Sequence, residues 1–481
     1  MDFRPAFKSS PIVRVMFNIG AGLDIPTGLW IIGRKGESIL NGGLGFITGV
    51  TAIGNGFKST LSHYMQLSAM SKIIVQYSTN MSTYDTEVNT HERRLHDLTK
   101  RFTGFQGKDI LLEGVWDDRP VWQLTSKNEH PGDEWFDIQK DYILKKMKEA
   151  KPVDTPFKGR EPGTALQIIV PSFGEIDSFT DFTSSAENRM LDENSLGESG
   201  ANTFFMKSGL VKTRLLMELP ALAGGGYHFT GMTAQLGKEL NMASGPMPAP
   251  PTKKLQHLKN GDKLKNVTDK FTFATNNCWH IYNAAPLVNQ STKLPEYPGE
   301  DEHQATDLVV LSLRCLRSKS GPSGITLEVI ASQREGVLPE LTEFHYIKGM
   351  DRFGISGTLQ HYSLDILPDV KLQRTTVRTK IDEDAKLRRA ILITSELCQT
   401  TYLSAVNTDL LCTPKELYDD LIKLGYDWEV LLNTRGYWLL NNYDEKQLPF
   451  LSTMDLLRMR KGEYHPFWLA ADKKTRIPVK F

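Results

Sequence analysis

The sequence predicts a mixed α/β fold, in which helices flank a mostly parallel, twisted sheet and a smaller helix-rich domain follows at the C-terminus. Three observations predict it: strand-like apolar segments alternate with helical periods, a glycine cluster joins the first buried strand to a helix, and residues 390–465 are rich in helical patterns. With 481 residues, the chain has room for two or three domains. We expect an arm at 1–25 that can contact another subunit, a core at 26–365 with a long insertion at about 241–305, and a helix-rich domain at 366–481.

The individual elements of the core follow from hydrophobic periodicity. Strands are predicted at 44–50, 73–77, 165–170, 227–235, 308–313 and 326–332, and helices at 58–70, 134–150 and 205–222. The polar stretch 182–204 has no periodicity, which predicts a long loop. Residues 241–305 contain proline-rich, lysine-rich and acidic runs, and a loop of this length is usually functional or disordered.

Charge and cysteine usage restrict the class of protein. Lys+Arg and Asp+Glu both number 57, so the net charge is zero and any site for a polyanion must be a local patch. The 4 cysteines form no C-x-x-C pair, which indicates free thiols in a reducing compartment. Because there is no secretory signal and no apolar run of about 18 residues, we expect a cytoplasmic protein with no membrane partner.

The strongest chemical signal is a glycine-rich turn between the first core strand and its helix. The candidate nucleotide-binding residues form one run: Gly54, Asn55, Gly56, Phe57, Lys58, Ser59 and Thr60. In a phosphate-binding loop, glycines let backbone N–H groups approach the phosphates, a lysine reaches the outer phosphate oxygens, and the next hydroxyl holds Mg²⁺. Lys58 and Ser59 fit those roles, although Ala52 and Phe57 stand where the strict spacing requires glycine. The alternative is a glycine-rich turn with an incidental lysine.

A second signal is the acidic turn Tyr84-Asp85-Thr86-Glu87, which follows the next predicted strand. A glutamate in this position can polarise the water that attacks a γ-phosphate. The alternative for this short segment is a solvated acidic turn.

Together the two motifs resemble those of the RecA family of strand-exchange ATPases, including its bacteriophage members, over roughly residues 24–350. The resemblance implies a RecA-type P-loop ATPase core that uses ATP and Mg²⁺. It implies that Lys58 acts on the phosphates, that Ser59 is a ligand of Mg²⁺ and that Glu87 activates water.

Three further site residues follow from the same resemblance. The family's second acidic motif, whose aspartate orients Mg²⁺, aligns with Pro171, so we expect Asp177 or Glu175 to replace that aspartate. Gln235 aligns with a polar sensor that reports the γ-phosphate to the DNA loop, although a buried strand glutamine is the alternative. Arg334 aligns with a basic residue that can reach a neighbouring subunit's nucleotide, and a solvated arginine is the alternative.

The resemblance also implies two DNA-binding loops, at about 178–204 and 241–305. The second loop carries lysines and then aromatic rings: Lys253, Lys254, Lys259, Lys263, Lys265 and Lys270, followed by Phe271, Phe273, Trp279, His280 and Tyr282. Lysines neutralise phosphates and aromatic faces stack on bases, so the DNA-binding candidates are Lys263, Lys265, Lys270, Phe271 and Phe273. The alternative is a buried strand beside a solvated lysine face.

The leading hypothesis is an ATP-dependent recombinase that forms homo-oligomeric filaments on single-stranded DNA and exchanges strands with double-stranded DNA. The N-terminal Phe3-Arg4-Pro5-Ala6 resembles a peptide by which some recombinases dock onto the next subunit. One alternative is a ring-shaped hexameric replicative helicase of the DnaB type. The other is a degenerate, non-hydrolysing protein that keeps the fold and organises DNA.

Overall fold

The computed structural model describes residues 14–88, 90–111, 114–116, 119–185, 198–238, 257–259, 262–268, 270–299, 306–403 and 409–479. Its strands are β1 (Leu29–Ile32), β2 (Ser38–Asn41), β3 (Ile47–Ala52), β4 (Met81–Asp85), β5 (Gly114–Trp116), β6 (Arg119–Pro120), β7 (Trp122–Ser126), β8 (Pro152–Lys158), β9 (Ala165–Ile169), β10 (Ser172–Ile176), β11 (His228–Lys238), β12 (Asp262–Leu264), β13 (Asn277–Pro286), β14 (Leu308–Ser318), β15 (Thr326–Ser332), β16 (Gly336–Val337), β17 (Ile355–Gly357), β18 (Tyr362–Leu364) and β19 (Leu367–Leu372).

The helices surround the strands on both faces of the main sheet and dominate the C-terminal part. They are α1 (Asp24–Thr27), α2 (Lys58–Ile73), α3 (Glu92–Thr99), α4 (Gly132–Glu149), α5 (Glu198–Gly226), α6 (Lys270–Ala274), α7 (Pro339–Gly349), α8 (Val377–Glu383), α9 (Ala385–Leu403), α10 (Pro414–Lys423), α11 (Trp428–Leu432) and α12 (Thr453–Arg460). Short 3₁₀ turns lie at Thr103–Phe105 and Phe179–Asp181. Within the described ranges, no helix is both long and apolar enough to cross a membrane.

The main sheet has the strand order β16-β15-β14-β13-β3-β11-β10-β4-β7, with β12 paired to β11. The six strands from β13 to β7 are parallel to one another, and β14, β15 and β16 add antiparallel partners at one edge. This confirms the mixed α/β fold with a mostly parallel sheet. The strand after β3 in the chain, β4, lies on one side of β3, whereas the last parallel strand, β13, lies on the other. Such a reversal of strand order opens a crevice at the carboxyl ends of the strands, where ligands bind in folds of this kind.

Parallel strands covered by helices on both faces become apolar and buried throughout, and the central strands here follow that rule. Every residue of β3, β4 and β10 is buried. The helix α2 packs against β3, β10 and β11, and most of its residues are buried too. The carboxyl ends of these strands and the start of α2 are therefore held by a closely packed core.

Two predicted strands lie elsewhere than expected. The segment predicted as a strand at 73–77 follows the end of α2 at Ile73, and the strand itself is β4, which begins at Met81. The segment 165–170 forms β9, which pairs antiparallel with β8 outside the main sheet. Pro171 has no N–H for a sheet hydrogen bond, and it separates β9 from the true core strand β10.

The two predicted loops are also partly structured. The helix α5 begins at Glu198, inside the loop predicted at 182–204, while 186–197 lie outside the described residues. The predicted insertion at 241–305 contains β12, α6 and the strand β13, which pairs with β3 at the centre of the sheet. The helix predicted at 134–150 and the strand predicted at 326–332 are confirmed by α4 and β15.

Both ends of the described chain pack into the body of the protein. In the predicted arm, Val15, Phe17 and Ile19 are buried, and the Phe17 ring stacks on Trp438 with centroids 4.7 Å apart. Residues 3–6 lie outside the described residues. The boundary that we expected at 365/366 falls between β18 and β19, which pair with each other. All 4 cysteines are free, as their spacing predicts.

Candidate functional site

The turn between β3 and α2, residues 53–57, is tight where Gly56 lies and open where Gly54 lies. A Cβ on Gly56 would stand 2.6 Å from the Ala52 Cβ and 3.0 Å from the Ile53 carbonyl oxygen, whereas a Cβ on Gly54 would meet nothing within 4 Å. A contact below 3 Å is repulsive, so glycine is required at position 56. We call residues 53–57 the glycine turn.

Two non-glycine residues of the glycine turn have left-handed backbone conformations. Asn55 has φ +57° and Phe57 has φ +59° with ψ +22°. Asparagine tolerates this region, but a bulky side chain there is strained by an estimated 1–2 kcal/mol. The Phe57 ring is half-buried against the main hydrophobic core, which offsets part of the strain. This backbone conformation explains why a strict phosphate-loop pattern has glycine at position 57.

Lys58 begins α2 and is 8% exposed. Its Nζ donates to the Ile53 carbonyl at 3.4 Å, back across the glycine turn. Burial lowers the pKa of Lys58, while the nearby Glu87, Asp177 and Asp181 carboxylates favour the charged form. The ammonium therefore lies at the mouth of the turn, among groups that keep a cation there.

Ser59 and Asp177 join α2 to the carboxyl end of β10. The Ser59 hydroxyl donates to Asp177 Oδ1. Burial raises the pKa of Asp177, whereas the hydrogen bond from Ser59 lowers it. A hydroxyl and a carboxylate are both oxygen ligands of the kind that Mg²⁺ takes. Of the two carboxylates expected to replace the aspartate at Pro171, Asp177 is the one that meets Ser59.

Glu175 faces α2 one helical turn farther on. Its Oε2 lies 3.1 Å from His63 Nε2, and the side chain is fully buried. Burial raises the pKa of Glu175 to about 7, and His63 opposes that shift. Glu175 therefore supports the packing of α2 on β10 and does not reach the glycine turn.

Glu87 is exposed in the turn after β4, and Asp85 shapes that turn. The Asp85 carboxylate accepts hydrogen bonds from the N–H groups of Glu87 at 3.1 Å, Val88 at 2.7 Å and Thr90 at 3.0 Å. Sequence reasoning did not assign Asp85 a role. An aspartate at the end of a strand and before polar residues is typical of such a side-chain-stabilised turn, and it could have indicated this.

Hydroxyl groups tie the carboxyl ends of the parallel strands together. The Thr86 hydroxyl accepts from the Ser178 N–H at 3.0 Å and thereby links the tips of β4 and β10. The Thr233 hydroxyl donates to the Asp177 carbonyl. The Gln235 N–H donates to the Thr180 hydroxyl at 2.8 Å. These hydrogen bonds fix Asp177 relative to the ends of β4 and β11. No local sequence pattern indicates these bonds.

The residues around the glycine turn fit a nucleotide with Mg²⁺. In the part of the chain that the structure describes, no group of three or more His, Cys, Asp or Glu side chains is placed to hold a metal ion. Mg²⁺ is commonly bound by one or two carboxylates together with waters and substrate phosphates, so the pair Ser59 and Asp177 suffices.

Arg334 lies in the exposed turn between β15 and β16. The Arg94 guanidinium of α3 donates to the carbonyls of Gln333, at 2.8 Å, and Arg334. Its Nη2 lies 3.5 Å from the Thr60 hydroxyl on the first turn of α2. The turn that carries Arg334 is therefore tied to the glycine-turn helix of its own chain.

The predicted DNA-binding lysines lie next to the end of β11. Lys263 belongs to β12 and pairs with Gly237, and the Lys265 N–H donates to the Gln235 carbonyl at 2.8 Å. Both side chains are exposed. Lys270 is exposed at the start of α6, with its Nζ 3.4 Å from the Met217 sulfur. Lys253 and Lys254 lie outside the described residues.

The aromatic candidates divide into buried and exposed rings. Phe273 is 63% exposed, and the Arg317 guanidinium lies over its ring, 4.6 Å from the centroid. Tyr282 is 40% exposed beneath Arg314, at 5.2 Å. Phe271 is 0% exposed, so the prediction that it contacts DNA is wrong for this structure.

The burial of Phe271 has a simple cause: its ring packs against Phe179 and over Gly49 of β3. Trp279 and His280 are buried as well, because they belong to the core strand β13.

Comparisons with known proteins give a structural similarity at low sequence identity. No protein-family model matches the sequence, and no curated protein matches it. Among solved structures, the crystal structure of the RadB recombinase is similar over 61% of this chain and 90% of that chain, with 14% sequence identity and a TM-score of 0.30.

Proposed function

We propose that the chain is an ATP-dependent DNA recombinase that assembles as a filament on single-stranded DNA and pairs it with double-stranded DNA. The observation that carries the proposal is the contact between Ser59 and Asp177, which brings a hydroxyl and a carboxylate together directly beside Lys58. The tip of the neighbouring parallel strand β4 adds the exposed Glu87. This arrangement matches the chemistry that phosphoryl transfer requires, which is mostly positioning and charge stabilisation.

Each residue of the site has a role in the proposal. Lys58 would bind the outer phosphates of ATP, Ser59 and Asp177 would hold Mg²⁺, and Glu87 would take a proton from the attacking water. When bound, Mg²⁺ would neutralise the charge that develops on the phosphate oxygens. Arg334 would act on the nucleotide of a neighbouring subunit, because its turn is exposed at the edge of the sheet.

A continuous backbone path supports coupling between the nucleotide and DNA. Gln235 ends the part of β11 that pairs with β3, directly opposite Ala52. Its N–H is held by Thr180, and its carbonyl accepts from Lys265. A shift at the carboxyl ends of β3 and β11 would therefore move β12, which carries Lys263, and Lys265 directly after it. We propose that these two lysines bind DNA phosphates.

The resemblance of Gly56-Phe57-Lys58-Ser59 and Tyr84-Asp85-Thr86-Glu87 to segments of the bacteriophage recombinase UvsX supports the same proposal. A phage-encoded protein of this kind would act in the cytoplasm of the host cell.

ATP hydrolysis with and without single-stranded DNA tests the proposal. We expect turnover to rise when single-stranded DNA is added, and Lys58→Ala and Asp177→Asn to abolish it. Lys100→Ala, which removes an exposed lysine at the end of α3, is the control and should keep native turnover. Equal turnover with and without DNA, or activity that survives Lys58→Ala, would contradict the proposal.

The alternatives give different results in the same experiment. No phosphate release, with DNA binding intact, would favour a degenerate DNA-organising protein. Closed hexameric rings in electron micrographs, in place of open filaments, would favour a helicase of the DnaB type.

A further inference from the structure

A cavity of a different kind lies at the opposite edge of the sheet, where the strands begin. It has a volume of about 310 Å³ and opens between the C-terminal half of α4 and the segments that precede β4 and β10. Its walls are largely apolar, with Tyr77, Val153 and Val170 among the lining residues, and Lys146 and Ser172 also line it. Pockets for small organic ligands have volumes of about 300–1,000 Å³.

Lys146 is unusual because its amine lies in the protein interior. The residue is 4% exposed, and its Nζ donates to the Ser172 hydroxyl at 2.8 Å and to the Tyr227 carbonyl at 3.3 Å. These bonds use two of the three N–H groups of an ammonium. Burial lowers the pKa of Lys146 well below its ordinary value, and no carboxylate of the described residues counters that effect.

Among the described residues, the neighbours of the Lys146 amine are polar but carry no negative charge. The Ser172 hydroxyl also lies 2.9 Å from His228 Nδ1, and the Tyr142 hydroxyl donates to Asn80 Oδ1 at 2.7 Å. The lining residues that the structure describes include no aspartate or glutamate, and the exposed Lys151 adds a second positive charge at the cavity. A buried ammonium without a counter-ion is costly, so burial favours the neutral amine, and a bound anion would restore the ammonium and pair with it.

We propose that this cavity binds a small monocarboxylic acid with an apolar body, whose carboxylate meets the Lys146 ammonium beside Ser172. The hydrocarbon part would lie against Tyr77, Val153 and Val170. Charge complementarity selects the anionic head, and the apolar walls select the body. Ser172 and Asp177 stand at opposite ends of β10, about 16 Å apart at 3.3 Å per residue, so this site is separate from the glycine turn.

Calorimetric titration of the full chain with hexanoate and benzoate tests the proposal, with hexanamide and benzamide as uncharged counterparts. We expect the acids to bind about tenfold or more tightly than the amides, because the amide cannot form the charge-assisted hydrogen bond. Lys146→Met should remove that preference. Lys148→Met makes the same change at an exposed position of the same helix and should keep it.

Further variants keep the test decisive. If Lys146→Met fails to fold, the comparison of acid and amide binding to the native protein still tests the proposal. Val170→Trp should abolish binding of both the acids and the amides by filling the cavity. Lys58→Ala should bind benzoate as the native protein does, so a failed recombinase proposal leaves this one standing. No binding of the acids, equal binding of acids and amides, or acid preference retained in Lys146→Met would overturn the proposal.

Discussion

Replacing Glu175 with glutamine tests whether the buried carboxyl beneath α2 keeps its proton in the native protein. Burial raises the pKa of Glu175 from 4.5 to about 7, with partial opposition from His63. Between these two pH values the native protein holds a proton that the unfolded chain has released. The stability that the protonated carboxyl provides is therefore fully present below pH 4.5 and is lost as the pH rises through about 7. At roughly 1.4 kcal/mol per pKa unit, the shift corresponds to about 3 kcal/mol.

Urea denaturation of the native protein and of Glu175→Gln at pH 5, 6, 7 and 8 measures this effect. Because glutamine keeps the shape but does not titrate, the native protein should lose about 2.5 kcal/mol of unfolding free energy relative to the variant between pH 5 and pH 8. The comparison cancels other buried carboxyls with raised pKa values, such as Asp24 and Glu396. Glu149→Gln, at an exposed position, is the control. Parallel curves for native protein and variant would refute the reasoning and indicate that Glu175 is ionised beside His63.

Three further predictions concern the glycine turn and the aromatic rings that we considered as DNA contacts. Gly56→Ala should lower the free energy of unfolding by about 1–3 kcal/mol, because the added Cβ would lie 2.6 Å from a neighbouring side chain. Gly54→Ala, whose Cβ would meet nothing within 4 Å, should change it by less than about 0.5 kcal/mol. Equal losses in thermal melts would contradict this prediction. Phe57→Gly relieves a left-handed backbone but loses a half-buried ring, so the two effects should cancel to within about 1 kcal/mol, and Phe57→Ala, which keeps the strain, should be the less stable variant in urea. Phe273→Ala should weaken binding of single-stranded DNA about tenfold in fluorescence anisotropy, whereas Phe271→Leu should lower stability and leave the affinity unchanged; the reverse pattern would reject the assignment of the exposed ring.

The β3–turn–α2 segment could be predicted from the sequence because all its signals are local. A buried apolar strand, a glycine cluster and an apolar helix follow one another without interruption, and the structure places the helix start at Lys58. The strand β15 was predictable for the same reason, since turn residues bound its apolar run on one side and a polar turn bounds it on the other.

The sequence predicted two candidates for the second acidic residue, Asp177 and Glu175, but could not decide between them, because two apolar runs follow each other around Pro171. Local periodicity favours the run before the proline, yet the pairing of Phe173 with Phe229 and Met81 places the later run in the sheet. Pairing between residues far apart in the chain decides which run is the core strand. Asp177 consequently lies six residues after Pro171, at the strand end where it meets Ser59.

The aromatic candidates show the same limit. Phe271 and Phe273 are two residues apart, and a sequence pattern cannot tell whether the first, the second or neither is buried. The fold decides, because Gly49 of β3 leaves room for the Phe271 ring, while the helix α6 directs Phe273 outward beneath Arg317. The absence of a side chain on a distant strand therefore determines which ring remains available for a ligand.

The packing of α2 on β10 fixes the start of the helix relative to the carboxylates Asp177 and Glu175. Ser59 and His63 are four residues apart on one face of α2, which corresponds to a rise of about 6 Å. Their partners, Asp177 and Glu175, are two residues apart along the chain direction of β10, about 6.6 Å. Because the two spacings agree, both contacts form at once, and a slide of α2 along the strand would break both. Lys58, the residue before Ser59, is thereby held near Asp177, as the proposed nucleotide site requires.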